Sequence, residues 1–170
     1  LSIDSSFSYY YPDFPSKEIT IRHLLNHTSG LPNFVNQLIP DLDTTIVNGN
    51  EEMYRMLSSQ KYPLQWKPGD QWEYCDISFC LLGSLIEKLS GMSYKAFLHK
   101  RVFLPAGMLN TSAEMTTNID SIALSNLAMG YVYDHTNHIA KPAHQIPSNK
   151  YVFWLGGFYG DGSVVSTIMD

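Results

Sequence analysis

The stretch Trp66-Lys-Pro-Gly-Asp-Gln-Trp-Glu-Tyr-Cys-Asp76 runs directly into Ile77-Ser-Phe-Cys-Leu-Leu-Gly-Ser-Leu-Ile-Glu-Lys-Leu-Ser-Gly91, a turn and a short extended piece leading into a helix. Lys67-Pro68-Gly69-Asp70 is a turn, because proline presets φ and glycine takes backbone angles that other residues resist. Gln71 to Tyr74 is short and aromatic and is expected to be extended or looped. Asp76 is the expected N-cap, with its carboxylate accepting the free N–H groups of a first helical turn. Leu81, Leu82, Leu85, Ile86 and Leu89 then recur at helical spacing and give one apolar face. Gly91 supplies the left-handed residue that ends the helix. A tyrosine just before a helix N-terminus sits in a positive end-field that favours the phenolate. Tyr74 is therefore a chemical candidate as well as a packing aromatic.

Upstream, Thr20 is the N-cap candidate of a helix whose buried stripe is Ile21, Leu24 and Leu25. Gly30 followed by Pro32 stops it. Leu1 to Pro15 is aromatic, poor in charge and irregular. Asn33 to Asn50 reads as a long loop holding at most a helical turn, and Glu51 to Ser59 as a second helix with Met53, Met56 and Leu57 inward. Downstream, Ser93 caps a helix running to about Arg101, and Pro105-Ala106-Gly107 breaks it. Asn110 to Asp120 is polar loop. Gly130 to Asp134 and His138 to Pro142 are two strands of a hairpin turning at Thr136-Asn137. Gly156-Gly157 and Gly160-Asp161-Gly162 are flexible or tight-turn positions. Ser166 to Asp170 has the hydroxyl-then-acid spacing of a helix start.

Hydrophobic residues make up 44 % of the 170 and charged residues 16 %, which is the composition of a globular chain. The net charge of -5, with no basic run, argues against a nucleic-acid partner. No apolar run approaches the ~20 residues of a spanning helix. Cys75 and Cys80 diverge on one helix and read as small buried hydrophobes rather than a disulfide.

The strings Ile19-Thr-Ile-Arg-His-Leu-Leu-Asn-His-Thr-Ser-Gly-Leu-Pro32, Pro68-Gly69 with Tyr74-Cys75-Asp76, Leu81-Leu82-Gly83 through Gly91, Phe103-Leu-Pro-Ala-Gly-Met108 with Thr111, and Gly162 to Asp170 occur in that order. Together they resemble the serine β-lactamase-related hydrolases: class C β-lactamases, D-alanyl-D-alanine peptidases and related esterases. The resemblance implies an α+β fold of the β-lactamase/transpeptidase kind, of which residues 1–170 form a partial domain, mainly the helical subdomain with a short hairpin. It implies acyl transfer to a serine and hydrolysis of an amide or ester (a β-lactam, a D-Ala-D-Ala peptide or a simple ester) without cofactor or metal. A small-molecule or peptide is the implied partner, and an extracytoplasmic setting is favoured on the resemblance alone.

In that family a Ser-x-x-Lys supplies the nucleophile, a Tyr-x-Asn the catalytic tyrosine, and a Lys-x-Gly or His-x-Gly strand the oxyanion side. Only the middle element matches here, as Tyr74-Cys75-Asp76, with Asp where the pattern most often has Asn. Aspartate keeps an acceptor but loses the amide donor. Tyr74 is thus the catalytic candidate, and Asp76 and Trp154 are the substrate-binding candidates. Ser58-Ser59-Gln60-Lys61 and Lys67-Pro68-Gly69 match the other two patterns formally, but in the wrong places, and are read as chance. The expectation is an internal piece of a longer hydrolase, inactive alone and prone to self-association through exposed apolar faces. The alternative is a non-catalytic relative that binds a peptide or cell-wall fragment.

His23 and His27 stand at the spacing of a helical metal pair, but a structural role at the helix end is the better reading. His135, His138 and His144 read as exposed turn histidines, and Ser29 as a helix-end hydroxyl bonding local backbone. Trp72 is expected in the core, whereas Trp154, with Tyr151 and Phe153 nearby, is expected to line a cleft.

Overall fold

The structure, a computed structural model, describes residues 1–43, 45–113, 128, 130–135, 137–142 and 156–170. Its helices are α1 (Ile21–Leu25), α2 (Asn50–Ser58), α3 (Asp76–Ser90), α4 (Tyr94–Leu98) and α5 (Leu104–Ala106). Its strands are β1 (Ser112–Ala113), β2 (Tyr131–Asp134), β3 (Ile139–Pro142) and β4 (Val164–Val165). β2 and β3 form the antiparallel hairpin, with Tyr131 opposite Pro142 and Asp134 opposite Ile139. β1 and β4 pair antiparallel across a long separation in sequence, Ser112 opposite Val165. The architecture is α+β and dominated by helices.

α3 is the hub, packing against α1, α2 and α4. Ile77, Cys80, Leu81 and Leu85 of α3 meet Ile21 and Leu24 of α1 and Met53, Met56 and Leu57 of α2 in one buried cluster. Gly91, at φ 68, ends α3 as the sequence requires, and its N–H bonds back to the Glu87 carbonyl. The expected stripe is narrower in fact. Leu25 and Leu89 are exposed, because α1 is only one turn of five residues and Leu89 lies past the last residue of α3 that the core reaches. The apolar faces of α1 and α3 pack against each other.

The N-terminal segment contributes to the core more than an irregular surface piece would. Phe7 and Phe14 are buried, with Phe7 stacked on Tyr11 at 4.8 Å and edge-on to Phe14 at 4.8 Å. The Phe7 N–H bonds to the Ile19 carbonyl, and the Ile21 and Arg22 N–H groups bond to Ser5 and Ile3. These bonds align the segment antiparallel to the entry of α1. Thr20 caps α1 as expected, and His23 closes a reciprocal box: the His23 N–H bonds to Thr20 Oγ1 and the Thr20 N–H to His23 Nδ1. The loop from Asn33 carries a π-helical turn at Phe34–Leu38, which Asn33 caps, and a 3₁₀ turn at Ile39–Asp41.

Ser166 to Asp170, which carries the spacing of a helix start, turns at residues 168–169, and the Asp170 carboxylate accepts hydrogen bonds from the Asn110 N–H at 2.6 Å and Thr111 Oγ1 at 2.8 Å. The glycines around 157 and 160 serve close approach rather than flexibility. A Cβ on Gly157 would lie 2.4 Å from the Asn48 carbonyl oxygen, and one on Gly160 would lie 2.2 Å from that of Phe79. The buried side chain of Asn50 holds this crossing in place. Its Nδ2 donates to the carbonyls of Cys80 (2.7 Å) and Tyr159 (2.9 Å), and its Oδ1 accepts the Tyr159 N–H at 3.1 Å. Among the described residues no helix is long and apolar enough to cross a membrane.

Candidate active site

The site is built from two pieces of irregular backbone laid side by side, residues 27–30 and residues 65–75. The Gln65 N–H bonds to the Gly30 carbonyl at 2.8 Å, and Gly69 to Thr28 at 2.8 Å. Glu73 bonds to the His27 carbonyl at 3.0 Å, and Cys75 to His27 Nδ1 at 3.1 Å. Gly30, at φ 71, lies so close that a Cβ there would be 2.3 Å from the Trp66 carbonyl oxygen. This is the physical content of the His27-Thr-Ser-Gly string: it is a cradle for the approach to α3. Ser29 is buried beneath it, with its Oγ 3.2 Å from that of Ser78 and accepting the Leu31 N–H. The Lys67–Asp70 turn closes with Asp70 N–H on the Lys67 carbonyl and Gly69 at φ 94.

Tyr74 leaves this cradle on its outer side and is 57 % exposed. Its ring lies 4.8 Å from the His27 imidazole, which is itself 5.0 Å from Phe79 and 6.2 Å from Trp72. Trp72 is 68 % exposed, which corrects its expected place in the core. The reason is that residues 71–74 run extended over the surface and the chain turns inward only at Cys75, with Trp72 and Tyr74 on the same face of that segment.

Asp76 is not the N-cap. Cys75 holds that position, extended at φ -145 and ψ 107, and no side chain caps α3. The two bonds to His27 keep residues 73–75 extended, so Asp76 becomes the first helical residue. There its carboxylate interacts with Tyr74. A hydrogen bond to Asp76 first, then the negative charge of that carboxylate, raises the phenol above its ordinary range, and Asp161 adds charge of the same sign. The helix end-field does not prevail at this position: the phenol, not the phenolate, is favoured. Asp161 reaches the site because Gly160 crosses over Phe79 and Cys80. Nothing in residue type alone signals that crossing. Asn50, which ties it down, reads in sequence only as the last polar residue of the loop before α2.

The other candidates sort plainly. Burial raises the Cys75 and Cys80 thiols, with Asp161 adding to the effect at Cys80, so neither is a ready nucleophile. Ser58 closes α2 rather than opening a helix, and Lys61 pairs with Asp41 at 2.9 Å. His23 and His27 each present Nδ1 to a backbone N–H, His23 to Thr20 and His27 to Cys75, in place of a shared ligand. Among the described residues no group of three His, Cys, Asp or Glu side chains could hold a metal ion. His135 and His138 are exposed, with His138 at φ 54 in the hairpin turn. Trp154, Tyr151, Phe153, His144 and Thr136 lie outside the described residues. A separate groove of about 420 Å³, lined by Phe14, Ile19, Leu31, Leu57 and Tyr62 among others, shares no lining residue with the Tyr74 surface.

The chain is similar to penicillin-binding protein 4* of Bacillus subtilis, 35 % identical over 100 % of this chain and 38 % of that protein. It is similar to a D-aminopeptidase of Brucella anthropi, 28 % identical over 91 % of this chain and 28 % of that protein. A lovastatin esterase of Penicillium rubens is 29 % identical over 64 % of this chain and 27 % of that protein. Among solved structures, a penicillin-binding protein from Bacillus halodurans superposes with a TM-score of 0.71 at 24 % identity, covering 98 % of this chain and 49 % of that one. The D-amino acid amidase of Ochrobactrum anthropi SV3 complexed with D-phenylalanine gives 0.71 at 25 %, covering 98 % and 46 %. The chain thus spans less than half the length of each of these relatives. The fold is that of β-lactamase/transpeptidase-like proteins. A family profile described as Beta-lactamase matches residues 1–170, and with the cradle, the exposed tyrosine and the hub helix in place, the chain belongs to the Beta-lactamase family.

Proposed function

We propose that this chain is part of a serine hydrolase that cleaves an ester or amide through an acyl-enzyme, with Tyr74 as the group that moves the proton. The observation that carries this reading is an exposed phenol, fixed through the backbone on either side of it at the mouth of a buried helix. Relatives named as an aminopeptidase and an esterase support amide and ester chemistry on this framework. The nucleophile is a serine outside these residues, activated by a neighbouring lysine as the family pattern implies.

Asp76 and Asp161 hold Tyr74 protonated here. An ammonium beside the phenol opposes them and brings it towards neutral pH, where it takes the serine proton and returns it to the leaving group. Asp76, when ionised, is acceptor-only, so the substrate group that meets it is a donor. Trp154 is assigned to the cleft wall from its place in the sequence. An extracytoplasmic setting follows from the family resemblance alone.

The test uses the complete protein that contains these residues. Fluorophosphonate or penicillin is expected to leave a mass adduct on a single serine. Tyr74→Phe should lower kcat by roughly 10²–10⁴-fold, the usual worth of general acid–base catalysis, while the denaturant midpoint stays put. A Tyr74→Phe variant with full kcat and an early midpoint would instead identify a packing tyrosine.

A further inference from the structure

His27 touches the Tyr74 segment in several ways at once. Its carbonyl accepts the Glu73 N–H at 3.0 Å, and its Nδ1 accepts the Cys75 N–H at 3.1 Å. Its ring stands 4.8 Å from the Tyr74 ring, tilted 39°, and 5.0 Å from Phe79. The two hydrogen bonds fall on the residues immediately before and after Tyr74. In extended backbone the N–H groups of alternate residues point the same way, so fixing both fixes the rotation of the segment about its own axis. That rotation decides the direction in which the Tyr74 side chain leaves. As an acceptor, Nδ1 carries the lone pair and the ring proton sits on Nε2. The histidine does this from φ 57, a left-handed conformation that residues with a Cβ seldom adopt. That conformation turns its carbonyl and its ring toward the same neighbour.

We propose that His27 is a positioning residue for Tyr74: it aims the phenol through the Cys75 and Glu73 N–H groups and backs it with the imidazole face, without itself meeting substrate. The inference rests on the reading of Tyr74 as the proton-transfer group. Sequence alone shows His27 as the end of a helix. The assignment comes from the juxtaposition of its carbonyl, Nδ1 and ring with three consecutive residues, 73 to 75.

The experiment is a set of variants in the complete protein, with kcat and KM measured for His27→Ala, His27→Phe and His27→Asn, alone and combined with Tyr74→Phe. Phenylalanine keeps a ring and removes the acceptor. Asparagine keeps an acceptor and tolerates left-handed backbone, but removes the ring. His27→Ala is expected to lower kcat by roughly 10²-fold while KM changes by less than about threefold, the signature of a misplaced catalytic group. The two partial replacements should each recover part of that loss. In the Tyr74→Phe background His27→Ala should cost nothing further, because no phenol remains to be aimed. An equal loss in that background overturns the proposal, since the histidine would then be holding the whole site; so does a folded His27→Ala enzyme with wild-type kcat. If His27→Ala does not fold, the same non-additivity is required of His27→Asn, and its absence there is equally decisive. If Tyr74→Phe alone retains full kcat, the proton-transfer reading falls, and the positioning is read separately by NMR. The Tyr74 ring resonance, assigned by its loss in Tyr74→Phe, should then move in His27→Phe and His27→Asn. An unmoved resonance rejects the positioning role on its own.

Discussion

Tyr74 and Asp76 are two residues apart, and their proximity sets the local chemistry. The carboxylate raises the phenol as hydrogen-bond partner and as charge, with Asp161 behind it. Asp76→Asn removes the carboxylate's charge and weakens the hydrogen bond, because a neutral amide oxygen of the same shape accepts less strongly. The phenol of that variant should therefore ionise at lower pH than in the parent, with the effect read as the Tyr74 share of a phenolate titration, isolated by subtracting Tyr74→Phe. An unchanged Tyr74 titration would mean that the two groups do not interact in solution. The aspartate itself is plain in the sequence, and so is its departure from the asparagine of the family pattern. What is not plain is which side of the helix boundary it occupies. That boundary depends on His27, distant in sequence, and local N-cap preference placed it one residue late.

At the scale of elements, glycines separate conformational strain from steric overlap. Gly30 and Gly107 have nearly the same left-handed φ, 71 and 74, but Gly107 has open space where a Cβ would stand and Gly30 has the Trp66 carbonyl. Alanine at Gly107 should cost about 1 kcal/mol, the strain alone. Alanine at Gly30 adds an overlap with backbone, and should cost roughly 2–4 kcal/mol. Denaturant midpoints of the two variants in one background test the difference, and equal costs would show that the Trp66 segment yields freely. The helices α2 and α3 were legible because apolar periodicity and stops agree along them, and the hairpin because two short strands flank a turn. The β1–β4 pair was not, since Ser112–Ala113 and Val164–Val165 are too short to carry a period and find each other across fifty residues of chain. The strap at 157–160 was equally hidden, because its glycines record a close approach without naming the partner.

Three expectations concern the chain as a whole. The chain alone should give no turnover of nitrocefin or p-nitrophenyl esters, because the serine assigned as nucleophile lies outside it; a rate that survives repurification, with an adduct on a serine of these residues, would contradict that. The core also sets an alkaline limit. Tyr11 is raised to about 12, first by burial and then by the charges of Tyr54 and Glu87. Tyr159 is raised as well, first by burial and then by its hydrogen bond to Glu87. A phenol whose folded pKa lies above its unfolded value of about 10 holds its proton more tightly in the folded state. Its contribution is therefore complete below about pH 10 and is lost as pH rises from there toward 12. The urea midpoint should fall across that window, and Tyr11→Phe should make the fall shallower. Exposed apolar side chains such as Ile168 and Met169 remain available for self-association, which sedimentation at increasing concentration would reveal.

The cradle around Tyr74 has one more consequence. Residues 65–75 have no regular secondary structure, yet the amides of Gln65, Gly69, Glu73 and Cys75 are each spent on a partner in residues 27–30. In deuterium exchange the segment should not behave as a surface loop. Those four positions should form an intermittent ladder of slow amides among fast neighbours, opening together with α1 rather than one at a time. Uniformly fast exchange along the segment would mean that the tyrosine rides on a mobile loop. The slow ladder would make it part of the most rigid unit of the protein, a reacting group mounted on frame rather than on hinge.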